Sequence, residues 1–183
     1  MVLNSCSCGM TYEVHQVAAL QGMAESDLIG TWTRIFQNEA RGIRRGHSWH
    51  LEFDYSIDTE CLYDWKDYIR NTSARFRCTE CGRSWPSNQV KVIFHMRLSG
   101  TTGTVKIRPY RQNCKICSDA PMVNPNIEEN NIKILMENLV KKIRIKCYHE
   151  KIGQKRRYFE RYDVESPHEP SHCEGCIRGI CNK

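Results

Sequence analysis

No stretch of the sequence approaches the ~20 consecutive apolar residues that span a bilayer. The N-terminus, MVLNSCSCGMTYEVHQ, lacks a basic start leading into an apolar run. It does not read as a secretory signal. The expectation is therefore a reducing compartment, where a disulfide framework is disfavoured. Glycine-rich phosphate loops and nucleophile elbows are absent as well. His172-x-Glu174 matches the first half of a zinc deaminase signature, but Glu174 lies between two cysteines and no later P-C-x-x-C follows. An enzyme is not expected.

Cysteine, by contrast, is abundant: eleven in 183 residues. Six fall in CxxC pairs: Cys78/Cys81, Cys114/Cys117 and Cys173/Cys176. One pair alone reads as a redox dithiol, half a disulfide framework or half a metal site. Three pairs exceed what a thioredoxin-type site needs, and an odd total disfavours complete intramolecular pairing. Zn²⁺ takes four ligands in a tetrahedron, with thiolate sulfur at about 2.3 Å. Two cysteines in a tight turn can point both sulfurs at one ion. Gly82, directly after Cys81, suits such a turn because it tolerates positive φ. Cys78, Cys81, Cys114 and Cys117 form the natural first set, at the two ends of a long β-hairpin.

Period-two alternation supports that hairpin. Val90, Val92, Phe94, Met96 and Leu98 alternate with Lys91, Ile93, His95 and Arg97. Val105 and Ile107 alternate with Lys106 and Arg108 before Pro109, where the strand ends or forms an edge. An earlier strand is expected at SWHLEFDY. Two helices flank the sheet. Leu28, Trp32, Ile35 and Phe36 fall at helical spacing after a possible Ser26 N-cap. Ile132, Leu135, Met136, Leu139, Val140, Ile143 and Cys147 make a longer apolar stripe, read as core packing. The fold class is α+β: a zinc-stabilised antiparallel sheet with a long hairpin, flanked by two helices. Residues 1–26 read as a weakly ordered lead-in and 27–183 as one domain.

The third pair needs further ligands. His168 reaches Cys173 and Cys176 more readily than His172, which is adjacent to Cys173. The other ligand stays open among His95, Cys147, His149, Cys61 and Cys181. With His95 in that place, the third pair would fold back on the hairpin.

ARFRCTECGRSWPSNQVKVIFHMRL, GTVKIRPYRQNCKICS and HEPSHCEGCIRGIC together resemble the receptor-transporting protein family and its three-CxxC zinc finger domain. The resemblance runs from about Thr31 to Cys181. It implies Zn²⁺ held by Cys78, Cys81, Cys114, Cys117, Cys173, Cys176 and His168. It also implies accessory work in carrying G-protein-coupled receptors, chemosensory ones among them, to the plasma membrane. The implied location is cytoplasmic, at the cytoplasmic face of the endoplasmic reticulum or plasma membrane. One branch of the family is known for RNA binding and antiviral activity, which is the alternative function. Family members typically carry a C-terminal membrane-spanning helix, which these residues do not contain.

Charge bears on partners. Between Lys141 and Arg161 lie nine basic residues against Glu150 and Glu160, whereas the whole chain carries only +6. Lys155, Arg156, Arg157 and Tyr158 form its centre. Basic side chains interleaved with aromatics suit phosphate contacts and base stacking on RNA, or an acidic partner. An ordinary solvated face fits equally.

Overall fold

The structure, a computed structural model, describes residues 29–153, 157–164 and 167–181. The expected lead-in, Ser26 and Leu28 lie outside them. Four strands form one sheet: β1 (Ser48–Phe53), β2 (Lys66–Arg77), β3 (Ser84–Ser99) and β4 (Thr102–Pro109), in the order β1-β4-β3-β2. β2–β3 and β3–β4 are antiparallel, but β1 runs parallel to β4. The sheet is thus mixed rather than purely antiparallel. The chain leaves β1, crosses to the opposite edge through residues 54–65, and returns to β4 by two hairpins.

β2 has no clean alternation in the sequence. Thr72 and Ser73 are consecutive, polar and fully buried, and the register with β3 shifts between Thr72 and Ala74. The bulge's extra residue lies in β3, where Asn88 and Gln89 oppose Ser73 alone. In β2 the buried polar pair itself hides the period of two.

Helix α1 covers residues 29–40, and α2 is Glu129–Tyr148. Both pack on one face of the sheet. Trp32, Ile35 and Phe36 of α1 and Ile132, Leu135, Met136, Leu139 and Ile143 of α2 join Val90, Val92, Phe94 and Met96 of β3 in the main core. Of the alternate β3 residues, Lys91, Ile93 and His95 are buried too, whereas Arg97 is exposed. Ile93 meets Ile57, Tyr110 and Ile180 in a second, smaller core. The C-terminal segment therefore covers the far face of the sheet.

One flank of α2 is polar yet buried, and it holds a strap. Asn131 accepts from Glu160 N (2.7 Å) and donates to Glu160 O (3.0 Å). Asn138 does the same to Arg157 (3.4 and 2.9 Å), and Asn88 of β3 to Tyr162 (2.9 Å for both bonds). Each amide presents one donor and one acceptor to one residue's backbone, which substitutes for a strand partner. The strap leads the chain from α2 towards the last cysteines.

Close packing leaves one glycine no alternative. A Cβ on Gly103 would lie 2.2 Å from Cδ2 of the buried Trp49. Gly103→Ala should cost about 1–3 kcal/mol by overpacking. Gly30→Ala, whose Cβ meets nothing within 4 Å, should be neutral or stabilising. Denaturant midpoints of the two variants check this, and equal midpoints would refute it.

Candidate metal centres

The hairpin brings the first two CxxC turns together. Cys78 and Cys81 follow β2, and Cys114 and Cys117 follow β4. The Cys78 N–H donates to Arg83 O at 2.8 Å and the Gly82 N–H to Cys78 O at 3.1 Å, closing a tight knuckle. Gly82 has φ +71, as the turn requires. The four sulfurs lie within 4.8 Å of one another. Cys78–Cys117 and Cys81–Cys114 are each separated by 3.9 Å. A zinc tetrahedron with about 2.3 Å bonds has sulfur–sulfur edges of about 3.8 Å, so the donors fit that ion. Trp85, stacked on Phe76 at 5.6 Å, packs beneath the cluster.

The sulfurs differ in their acidity. N–H groups of Cys117 and Ile116 aimed at the Cys114 sulfur pull it down to about 6. The hydrogen bond shared with Cys81, then burial, pushes Cys117 up to about 12. Four adjacent thiols cannot all ionise by themselves, and a divalent cation removes that conflict.

The second cluster is His168, Cys173, Cys176 and Cys181, again within 4.8 Å. His168 Nε2 lies 3.1 Å from Cys176 Sγ, and Cys173 Sγ lies 3.9 Å from Cys181 Sγ. Burial lowers the His168 pKa, which favours the neutral imidazole that metals bind. His95 is not in this cluster. It is buried in β3, where its ring meets the Asp58 backbone, and the third pair does not reach it. Cys61 donates to Trp65 O, Cys147 packs against the main core, and His149 caps α2. His172 bonds Asn113 Oδ1 instead, at 2.9 Å.

The second cluster is fastened to the first. Asn113 N donates to His172 O and Glu174 N to Arg111 O, while Gln112 bridges to Cys173. The chain leading into Cys114 thus pairs with the chain leading into Cys176. Glu174, inside the knuckle, is the residue that sequence reasoning missed. Its carboxylate accepts from Arg108 at 2.6 Å and from the Arg111 side chain at 3.1 Å and backbone at 3.0 Å. Burial would raise its pKa, but these bonds outweigh burial and hold it near 2. The signal was an acid within a CxxC turn and two arginines in RPYR.

The basic segment is partly neutralised within the fold. Arg144, Lys146 and Arg157 pair with Glu150, Asp67 and Glu137. Tyr158 is 77% exposed. Lys155 and Arg156 lie outside the described residues. No helix among the described residues is long and apolar enough to cross a membrane.

Residues 71–179 match the three-CxxC zinc ribbon family, described as a zinc-binding domain. The chain is 34% identical over 166 residues to mouse receptor-transporting protein 3, covering 87% of this chain and 35% of that protein. It is 31% identical over 162 residues to human receptor-transporting protein 1, covering 86% and 62%. It belongs to the receptor-transporting protein family. Human receptor-transporting protein 4 is 29% identical over 158 residues, covering 84% of this chain and 64% of its own length. The chain thus spans between about a third and two thirds of these relatives. No solved structure matches it. In this receptor-transporting family member, both clusters fall on the three CxxC pairs, with His168 and Cys181 added to the third.

Proposed function

We propose that this chain is a zinc-binding accessory domain that promotes transport of G-protein-coupled receptors, chemosensory ones among them, to the cell surface. Kinship with the receptor-transporting proteins is the observation that carries the reading. Residues 27–183 act as one unit, at the cytoplasmic face of the endoplasmic reticulum or plasma membrane. Cys78, Cys81, Cys114 and Cys117 hold one Zn²⁺, and His168, Cys173, Cys176 and Cys181 another. Each donor set supplies four ligands, which leaves no open coordination position for substrate. The ions therefore build a binding surface and do no chemistry.

Co-expressing the chain with a chemosensory receptor in a line that retains the receptor inside should raise surface staining on live cells. Cys114→Ser should abolish the rise without changing total receptor. Unchanged surface staining across several receptors would overturn the proposal.

A further inference from the structure

A cavity of about 520 Å³ lies between the two clusters. One wall consists of seven consecutive residues, 83–89. The run includes the β3 bulge at Asn88–Gln89, where alternation breaks. From Ser84 to Ser87, however, the wall takes in both faces of the strand, as an approach from its edge does. That edge is open. β2 pairs with β3 from Ser84 to Met96, but β4 pairs with it only from Val92 to Ser99. Beyond Pro109 the chain leaves the sheet, and Gln112 bridges to Val123 and Cys173. Among the described residues, no strand lies on the β4 side of residues 84–89. Pro86 stands in this half, in keeping with an edge position.

The lining is polar and carries unspent positive charge. Lys115 and Glu169 neutralise each other at 3.2 Å. Arg83 lies 5.5 Å from the Trp85 ring centroid. Neither Arg83 nor Arg161 forms an ion pair among the described residues, and Asp163 is the remaining acid in the wall. An open strand edge supplies main-chain hydrogen bonds to an extended segment, and side chains beside it set the preference.

We propose that this cavity is a docking groove for an extended acidic peptide of a partner protein. The peptide adds to the free edge of β3 and sets its carboxylates against Arg83 and Arg161. The inference deepens the accessory reading and rests on it for the partner being a polypeptide.

The test uses the metal-loaded full chain and fluorescence anisotropy of a short labelled peptide alternating Glu and Val. It should bind about tenfold tighter than the Lys–Val counterpart. The double variant Arg83→Glu/Arg161→Glu should lose that preference while keeping wild-type metal content. N-methylation of alternate peptide nitrogens should abolish binding to the wild-type chain, because it removes the edge hydrogen bonds but not the charge. Equal affinity for the two peptides, full affinity in the double variant, or undiminished binding of the methylated peptide would each overturn the groove. So would arginine-dependent binding of single-stranded RNA without peptide binding. The receptor assay separates the two readings. Raised surface staining with no peptide binding rejects the groove alone, and peptide binding with no raised staining rejects the accessory reading alone.

Discussion

Stripping the purified domain with a strong chelator is expected to collapse both its hairpin end and its C-terminal layer. Elemental analysis should find two zinc ions per chain before treatment, one for each cluster. Structural zinc in small fingers contributes about 10–16 kcal/mol of apparent binding free energy at neutral pH. Domains of this kind are stable by only about 5–15 kcal/mol, so loss of both ions exceeds the margin. Cys114→Ser removes a buried donor and should lower the melting temperature sharply. Cys61→Ser, which lies outside both clusters, should leave it nearly unchanged. Less than one zinc per chain, together with a melt unaffected by chelator, would end the metal reading.

The second large effect belongs to Glu174→Gln. It leaves Arg108, 2% exposed, facing a neutral amide. Removing one partner of a buried ion pair costs about 3–5 kcal/mol. The loss should depend on pH in a defined direction. Folding lowers the Glu174 pKa from its ordinary 4.5 to about 2. A depressed carboxylate contributes fully above the unfolded value and loses its contribution as pH falls through the folded one. The stability difference between wild type and variant should therefore be constant above about pH 4.5 and shrink from there towards about pH 2. Acid also protonates the cysteine thiolates and releases zinc, so the comparison is confined to pH values at which both proteins retain two zinc ions. A Glu174→Gln variant as stable as the wild type at neutral pH, with zinc content equal, would show that the buried pair contributes nothing net.

Much of this was legible in the residues because it is local. Period-two runs announced β1, β3 and β4, and the apolar stripe from Ile132 to Ile143 announced α2. The three CxxC turns pointed to two clusters. What stayed hidden depends on contacts distant in sequence. β2 carries two consecutive buried polar residues, Thr72 and Ser73, which hide its period. Nothing in β3 reveals that Ile180 returns to cover Ile93. Cys181 was one of five open candidates, since joining it to His168 requires knowing how residues 168–181 coil. The role of Glu174 follows from Arg108, 66 positions earlier.

The strap has a consequence for how such a protein can change over time. Asn88, Asn131 and Asn138 grip only the main chain of residues 157–162. Any residue except proline offers the same N–H and C=O. These contacts therefore hold the segment's path whatever its side chains, although Arg157 and Tyr162 also bond Glu137 and Glu128 through theirs. Mutational drift is confined to what the strap displays outward, such as Tyr158. The three amides have no such licence, because aspartate lacks the donor and leucine lacks both groups. Variation among related chains should accordingly be broad at outward positions such as Tyr158 and narrow at the three asparagines that hold the strap.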